Sequence, residues 1–569
     1  MRAQDLPKLV AAARDGRATL VIRNAKVLNV FTNEILEADV GICGDAILGV
    51  GTFDCPNVYD AHGAYLAPGF IDAHVHIESS MVTPASFAGV ILPFGTTTIV
   101  ADPHEIANVA GTKGLDAIFA LAKDLPLDIR FMVPSCVPAT PFEHSGATLN
   151  AADLAAYLGH PQVLGLGEVM DSVSLLGEAP DMMDKLMRFF SRPIDGHAPL
   201  LSGRGLDAYC LAGPMTDHEC SNFAELKEKL RNGMRILIRI GSAANGVDEM
   251  FRGLVEEGLP TDSISFCTDD KHIENILREG HINHIINVAI AHGISPFDAI
   301  RMATLNTART YGLKRVGAIA PGYAANLVLF DDLNHVTPKA VFAQGKLYDP
   351  KSPMPVRPVD PAVLNSVHCA PVSKAQLRLR VQNPMPIIQT VDHQLVTRLA
   401  TLDVPVDANG DFAPQNGLNK LLVAERHHAT GNVGVGIVKG LTLSCGAIAA
   451  TVAHDSHNIV VAGDNDDDIL LAIDAVRKVG GGFCVVGSGK VLALLPLPIA
   501  GLMSDAPVET VLQGQRDLLR AAKSIGANDE SDPLVLLSFL ALPVIPEVRL
   551  TDIGLFDVCH SAFLYRTKE

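Results

Sequence analysis

Short apolar runs alternate with helical patterns through the middle of the chain, from residue 68 to about residue 311. Such alternation is typical of βα units that build a parallel sheet. Eight runs are present, at residues 69–77, 97–101, 129–133, 163–168, 193–197, 215–218, 235–240 and 263–267. Eight strands with intervening helices predict an α/β fold with a (β/α)8 TIM-type barrel, whose functional side chains project from the C-terminal ends of the strands.

Further runs rich in β-branched residues flank the predicted barrel on both sides. They lie at residues 19–30, 38–51, 325–331 and 341–348. The Asn and Gly residues beside them are typical of turns between strands. We predict that the two flanks, residues 1–67 and 315–350, pair into one small β-domain around a barrel of residues 68–314.

A Pro-rich passage follows at residues 349–361, where fixed φ angles and missing N–H donors discourage regular structure. It is typical of a linker. Further apolar segments follow, at residues 431–438, 447–453, 459–462 and 482–486. They predict an additional C-terminal α/β domain that occupies residues 351–569.

Two histidines, His74 and His76, end the first apolar run. Alternate residues of a strand lie on one face, so both imidazoles could reach one divalent ion. The motif by itself is weak, because alternate strand histidines are more often surface groups or hydrogen-bonded core groups. Four further candidates follow in order, each just after a predicted strand: Glu168, His197, His218 and Asp269.

Most of these candidates also have a simpler explanation. His197 and His218 could be ordinary loop residues, because histidine is often merely hydrogen-bonded. Asp269 adjoins Asp270, and adjacent acids usually mark a solvated turn, in which only one could face the barrel mouth. Glu168 is harder to explain in this way, because a carboxylate that ends an apolar strand needs a metal, a cation or a raised pKa.

Taken together, four imidazoles and two carboxylates are the set needed to hold two divalent ions close together. The Glu168 carboxylate could bridge the ions, which would lower the pKa of a shared water towards neutrality. The set therefore predicts hydrolysis, with Glu168 and Asp269 as catalytic residues. Asp269 would bind one ion, accept the proton of the attacking water and deliver it to a leaving amine.

Charge and cysteine content limit the partners and the cellular location that we expect. The 63 acidic and 45 basic side chains give a net charge of −18, which would repel a nucleic-acid backbone. Ten cysteines are scattered without a Cys-x-x-Cys pair, and no apolar run reaches membrane-spanning length. The N-terminus lacks an apolar stretch before a small-residue cleavage site. We therefore expect a cytoplasmic protein that binds neither nucleic acid nor membrane.

Three strings resemble a known family. They are PGFIDAHVHIESSM at 68–81, GTTTIVADPHEIANV at 95–109 and CTDDKH at 267–272. Over essentially its whole length the chain resembles the amidohydrolase superfamily, and these strings are similar to those of bacterial adenine deaminases. The resemblance implies a barrel flanked by a β-domain and a homodimer or larger homo-oligomer, and it favours Asp269 over Asp270 as the ligand.

The resemblance also implies two divalent ions, Mn²⁺ or Fe²⁺, and hydrolytic deamination of adenine, a small purine base, to hypoxanthine and ammonia. Many binuclear relatives bridge their ions with a carboxylated lysine, whereas this chain has Glu168 there, in agreement with the adenine deaminases. The Gly-rich strings at 480–482 and 487–490 lack the spacing of a phosphate cradle, so a free base fits better than a nucleotide.

Two alternatives stay open. One is a different amidohydrolase reaction, on a cyclic amide or amidine. The other is a non-catalytic binding or scaffold protein, an interpretation that predicts that some of the metal-binding residues are missing.

The group that protonates the purine ring nitrogen is left open by the sequence. Glu78, His104 and Glu105 are candidates for substrate binding, because they lie just beyond the first two strands. Glu78 could instead cap the segment that follows it, and His104 and Glu105 could simply begin a helix. The string AHDSHNI at 453–459 is typical of a polar turn. Similar sequences carry it too, and we hypothesise that the C-terminal domain closes over the barrel mouth.

Overall fold

The chain begins with a short helix and the first strands of a β-sheet. The computed structural model describes residues 3–242, 246–392, 394–528 and 532–567. The first elements are α1 (Leu6–Arg14), β1 (Leu20–Asn29), β2 (Glu34–Cys43), β3 (Ala46–Val50), β4 (Val58–Asp60) and β5 (Tyr65–Pro68). β1, β2 and β3 pair antiparallel, whereas β4 and β5 lie parallel to β1.

The middle of the chain alternates strands with helices, as predicted. Its strands are β6 (Phe70–Val75), β7 (Thr96–Ala101), β8 (Asp128–Val133), β9 (Val163–Val169), β10 (Ile194–Gly196), β11 (Thr216–Asp217), β12 (Arg235–Arg239) and β13 (Ile264–Cys267). Its helices are α2 (Pro84–Ile91), α3 (His104–Leu121), α4 (Ala151–Ala155), α5 (Ser172–Leu176), α6 (Pro180–Phe189), α7 (Gly203–Leu211), α8 (Phe223–Arg231), α9 (Val247–Glu257), α10 (Ile273–Glu279), α11 (Ile282–Ala291), α12 (Pro296–Met302) and α13 (Leu305–Thr310).

These strands form a curled parallel sheet in two hydrogen-bonded parts. β6 to β10 make a five-stranded part, and β11 to β13 make a three-stranded part. A parallel bridge between Val75 and Asp269 joins the end of β6 to the chain just after β13. Every residue of β6 and β7 is buried, as expected for strands of a parallel sheet that is covered on both faces.

The chain then returns to the first sheet. β14 (Leu327–Phe330) pairs antiparallel with β5, and β15 (Ala340–Ala343) and β16 (Lys346–Leu347) extend the sheet outward. The resulting order is β16-β15-β14-β5-β1-β2-β3, with β4 beside β1. Both flanks of the predicted barrel therefore contribute strands to one sheet.

The C-terminal part is built on a second, mostly antiparallel sheet. Its strands are β17 (Met385–Thr390), β18 (Thr397–Leu402), β19 (Leu418–Ala424), β20 (Val433–Lys439), β21 (Gly446–Ala450), β22 (Ile459–Gly463), β23 (Gly482–Gly487) and β24 (Lys490–Pro496), in the order β18-β17-β20-β19-β22-β21-β23-β24. A small sheet of β25 (Val548–Leu550), β26 (Gly554–Asp557) and β27 (Ala562–Arg566) follows. The helices are α14 (Asp466–Lys478), α15 (Val508–Ser524) and α16 (Pro533–Phe539). Short 3₁₀ turns lie at Ala3–Asp5, Ile77–Ser80, Leu92–Phe94, Pro361–Val363 and Lys374–Leu377.

One apolar core joins the parallel sheet to the C-terminal part. Val75 and Phe131 of the parallel sheet belong to the same buried cluster as Ile448 and Phe483 of the C-terminal sheet. Burial of this shared surface holds the two parts against each other. Within the described ranges, no helix is both long and apolar enough to cross a membrane.

A buried lysine ties together the loops after β10 and β11. Lys229 on α8 is fully buried and donates hydrogen bonds to the Ala198 carbonyl at 2.7 Å, Asp217 Oδ2 at 2.9 Å and Glu225 Oε1 at 2.7 Å. Removal of one partner from such a buried group leaves the other charges unpaired in a dry environment. Because Asp217 directly precedes His218, Lys229 also holds the backbone that carries this imidazole.

We predict that Lys229→Met lowers the free energy of unfolding by about 3–5 kcal/mol, because it leaves the Asp217 and Glu225 carboxylates buried without a cation. Lys227→Met is the matched control on the same helix, since Lys227 pairs with Glu257 near the surface, and it should cost about 1 kcal/mol or less. Urea unfolding of both variants measures the difference. Equal losses would contradict the role given to Lys229.

Candidate active site

The carboxylate of Glu168 lies between two groups of imidazoles at the C-terminal ends of the parallel strands. Its Oε1 is 3.6 Å from His74 Nε2 and 3.3 Å from His76 Nε2. Its Oε2 is 2.8 Å from His197 Nδ1 and 3.2 Å from His218 Nε2. The two oxygens thus face different pairs of nitrogens, which is the geometry of a carboxylate shared between two cation sites.

Asp269 completes the first of these groups. Its Oδ1 lies 3.7 Å from His74 Nε2 and 3.0 Å from His76 Nε2, and the two Nε2 atoms are themselves only 3.1 Å apart. His76 Nδ1 donates to the carbonyl of Asp102 at 2.8 Å, which leaves Nε2 directed into the group. Imidazole nitrogens and carboxylate oxygens that converge in this way fit a divalent ion.

All six predicted ligands are therefore brought together by the fold. His74 lies within β6 and His76 directly after it, and Glu168 is the penultimate residue of β9. His197, His218 and Asp269 follow β10, β11 and β13. Each of the six side chains is buried, with exposed fractions from 0 to 7 %. They are far apart in sequence and meet because the C-terminal ends of parallel strands lie at one edge of the sheet.

Buried acids on neighbouring strands hold the ligands in register. Asp72 accepts hydrogen bonds from the backbone N–H and the hydroxyl of Thr268, next to Asp269. Asp102 Oδ2 accepts from the backbone N–H of Glu168 at 3.0 Å. Burial raises the pKa of Asp72 to about 7 against the opposing hydrogen bonds. The first contact joins β6 to the chain after β13, and the second joins the end of β7 to β9, so they fix the positions of predicted ligands that belong to different strands.

Glycine at position 167 is required by the second of these contacts. A Cβ atom there would lie 2.1 Å from Asp102 Oδ2, which is closer than any non-bonded approach. Gly167 therefore allows the Asp102 carboxylate to reach the backbone of Glu168. The Gly-Leu-Gly-Glu string of β9 has this steric explanation.

The proposed cation ligands carry negative charge where it is needed. Burial alone would raise the pKa of Glu168, but the imidazoles of His104, His197 and His218 hold it well below its usual range. Burial also opposes ionisation of Asp269, and there the guanidinium of Arg239 lowers the pKa well below the usual range. Arg239 contacts Asp269 Oδ2 and is shared with Glu219.

The three predicted substrate-binding residues occupy different positions. His104 lines the cavity above the ligands, with Nδ1 3.3 Å from Glu168 Oε1. Glu105 also lines the cavity, and its carboxylate contacts His454 and His457 of the C-terminal part. Glu78 is buried and accepts a hydrogen bond at 3.2 Å from the N–H of Ile106, in the first turn of α3.

The C-terminal part supplies a wall and a roof of this cavity. The roof is apolar and consists of Leu395, Phe539, Leu542, Val544 and Ile545. A wider cleft of about 360 Å³ shares His218, Glu219, Arg239, Leu395 and Ile545 with the cavity. The cavity thus combines a polar floor with an apolar cover, which suits a flat ligand with a polar edge.

A buried arginine braces the roof. Arg549 is fully buried and donates to the carbonyls of Leu395 at 2.7 Å and Ile545 at 2.8 Å. These two roof residues belong to segments about 150 residues apart in sequence. Burial lowers the pKa of Arg549 to about 9, which still leaves the guanidinium charged at neutral pH.

Several residues of the site are missing from the sequence-based prediction. Asp102, Glu219, Arg239, His454 and Asp455 either contact the predicted ligands or line the cavity. Arg239 has a sequence signal, because it is a charged residue that ends an apolar strand. His454 and Asp455 show only a histidine-rich turn, and no local pattern connects that turn to the barrel.

Comparisons with known proteins cover nearly the whole chain. Residues 65–348 match the family model "Amidohydrolase family", and residues 394–562 match "Adenine deaminase C-terminal domain". The chain is 45 % identical over 566 residues to the adenine deaminase of Desulfitobacterium hafniense (strain Y51), covering 99 % of each chain. It is 46 % identical to that of Nitratidesulfovibrio vulgaris (strain DP4), covering 96 % of each. It is 44 % identical to that of Geobacillus kaustophilus (strain HTA426), covering 98 % of each. Among solved structures, a crystal structure of an adenine deaminase aligns with 17 % identity and a TM-score of 0.46, over 58 % of this chain and 100 % of that one.

We predict that Gly167→Ala lowers divalent-ion affinity by about 10- to 100-fold, because the new methyl group displaces Asp102 from the backbone of Glu168. Ion content after dialysis, measured by elemental analysis, tests this. Gly159→Ala is the control, since a Cβ atom at Gly159 meets nothing within 4 Å. Full ion content in Gly167→Ala would show that Asp102 does not position Glu168.

Proposed function

This chain belongs to the adenine deaminase family of amidohydrolases, and we propose that it hydrolyses adenine to hypoxanthine and ammonia with two divalent ions held by His74, His76, Glu168, His197, His218 and Asp269. The observation that carries the proposal is the Glu168 carboxylate, whose two oxygens face separate pairs of imidazole nitrogens. Similarity to adenine deaminases over 99 % of the chain supports the choice of substrate.

The donor set fits such ions on chemical grounds. Imidazole nitrogens and anionic oxygens crowd together at 2.8 to 3.7 Å in a dry region, an arrangement that a cation between them would stabilise. Ions of this kind supply a nucleophile from water at neutral pH and polarise the substrate. Mn²⁺ or Fe²⁺ is the proposed identity, because mixed imidazole and carboxylate sites accept either.

Asp269 is the proposed proton carrier of the reaction. One of its oxygens faces His74 and His76, and the other contacts Arg239. We infer that Asp269 accepts the proton that the attacking water releases and delivers it to the amine that leaves C6 of adenine. Arg239 holds the carboxylate in one orientation throughout, and Glu219 contacts the same guanidinium and holds it in place.

The cavity supports a purine base as the substrate. The faces of a purine are apolar and pack well against side chains such as Leu395 and Phe539 of the roof. Its polar edge would then lie against the wall of His104, Glu105 and His454. We infer that the eight parallel strands together constitute a (β/α)8-type barrel with the ligands at its mouth. The homo-oligomeric assembly and the cytoplasmic location stay predictions from the sequence.

We expect the purified, Mn²⁺-loaded protein to release ammonia from adenine. Glu168→Gln removes the shared anionic bridge and Asp269→Asn removes the proton acceptor, so each should lower kcat by about 100-fold or more. Chelation should abolish activity, and added Mn²⁺ should restore it. A coupled ammonia assay with elemental analysis of each sample measures these outcomes.

The substrate assignment would be wrong if wild-type protein with two confirmed ions per chain left adenine unchanged. Full activity in the chelated sample would instead contradict the metal dependence. Ion content separates the two results, because it reports on the ligands without any reference to the substrate.

A further inference from the structure

Three polar side chains meet where the loop between β21 and β22 contacts the start of α3. His454 Nδ1 donates to Glu105 Oε1 at 2.7 Å, and His457 Nε2 contacts Glu105 Oε2. The backbone N–H of Ala453 donates to His457 Nδ1 at 3.1 Å, so the proton of this neutral ring is on Nε2 and points to Glu105. Both oxygens of Glu105 are therefore occupied by imidazoles of the C-terminal part.

His454 is held more firmly than a surface histidine would be. Its ring stacks on Phe539 with centroids 4.3 Å apart and an interplanar angle of 19°. Its exposed fraction is 4 %, and Nδ1 is committed to Glu105. The described residues offer Nε2 no hydrogen-bond partner, although His454 lines the cavity together with Asp269 and Asp270. A fixed ring thus has one free nitrogen beside the reacting region.

We propose that His454 donates the proton to N1 of adenine, the ring nitrogen next to the carbon that loses its amine, and that Glu105 is the positioning residue that orients His454. This proposal rests on the proposed function. It assigns a substrate-contacting role to the C-terminal part, in addition to the ligands on the parallel strands.

The other groups near the cavity are less suited to this role. Glu78 accepts from the N–H of Ile106 and lies outside the cavity lining. Glu105 has both oxygens occupied by imidazoles. His104 faces carboxylates with both nitrogens, since Nδ1 lies 3.3 Å from Glu168 Oε1 and Nε2 lies 3.5 Å from Glu105 Oε1. Asp455 lines the cavity, but burial raises its pKa only to about 6, so at neutral pH its carboxyl group is mostly ionised and lacks a proton to donate.

The charge state of His454 agrees with a donor. Burial alone would lower its pKa, but the carboxylates of Glu105, Asp270 and Asp455 raise it to about 9. Both ring nitrogens of His454 then carry protons at neutral pH. Nδ1–H is held by Glu105, and Nε2–H is available to an acceptor in the cavity.

The proton balance of the reaction closes with this donor. The Nε2 proton of His454 passes to N1 as the oxygen of water bonds to C6, while Asp269 takes the proton that the water releases. Asp269 then passes this proton to the amine, and the C6–N bond breaks with its electron pair on the departing ammonia. The remaining hydroxyl proton returns to His454, which leaves a C6 carbonyl and a protonated N1, as in hypoxanthine.

The test is a comparison of ligands that differ only at one ring position. Dissociation constants of purine, 1-deazapurine and 7-deazapurine are measured by calorimetry on the Mn²⁺-loaded protein. We expect the wild type to bind purine about 10-fold or more tightly than 1-deazapurine, since a hydrogen bond from a charged donor is lost. His454→Phe retains the stacking on Phe539 and removes the donor, so the two constants should agree within about 2-fold.

His457→Phe is the matched control. It removes the other donor to Glu105 but leaves the ring that lines the cavity, so the preference for purine over 1-deazapurine should persist. A general loss of affinity would weaken both ligands equally, so it would leave the ratio of their two dissociation constants unchanged. His454→Gln provides a second variant that retains hydrogen bonding but cannot transfer a proton, and its kcat on adenine should fall by about 100-fold or more with ion content unchanged.

An unchanged ratio in His454→Phe would overturn the proposal. The proposal would also be wrong if His454→Phe removed the preference for purine over 7-deazapurine and not the preference over 1-deazapurine. It would be wrong, too, if Asp455→Asn and not His454→Phe removed the preference for purine over 1-deazapurine. Failure of the wild type to release ammonia from adenine would overturn the proposed function separately, because the binding ratios do not depend on turnover.

Discussion

The rest of the site depends on one buried anion, the carboxylate of Glu168. It is 3 % exposed, and its two oxygens face different pairs of imidazoles. A buried carboxylate is costly unless cations or donors surround it, so the neighbouring strands must end where they supply those partners. This requirement explains the buried acids Asp72 and Asp102, which link the strand ends to one another.

The second constraint is the contact between the parallel strands and the C-terminal part. A shared apolar core holds the two together, and the same contact carries polar groups that neither part would bury alone. Glu105 is buried because His454 and His457 meet both of its oxygens, and these histidines are buried because Glu105 receives them. The same packing of the C-terminal part on the parallel strands therefore covers the cavity and supplies these polar groups with their partners.

The strands and the predicted ligands could be inferred from the sequence because both are local signals. A short apolar run marks each strand, and each predicted ligand lies at or just beyond the end of such a run. The first β-sheet could also be predicted from the sequence, since the two segments that flank the predicted barrel show the same β-branched pattern. The stabilising roles of Lys229 and Arg549 could not be predicted, because both residues resemble ordinary surface cations until their burial is known. Gly167 likewise acquires its meaning only from the position of Asp102.

The sequence by itself determined the alternation of strands and helices, the family and the six residues that meet at the strand ends. It could do so because hydrophobic periodicity and residue type act over a few neighbouring positions. Only the tertiary structure decided what surrounds those residues. His454 and Glu105 are 349 positions apart, and their contact depends on how one folded part packs on another. Such packing is set by the shapes of two assembled surfaces, which no short stretch of sequence contains.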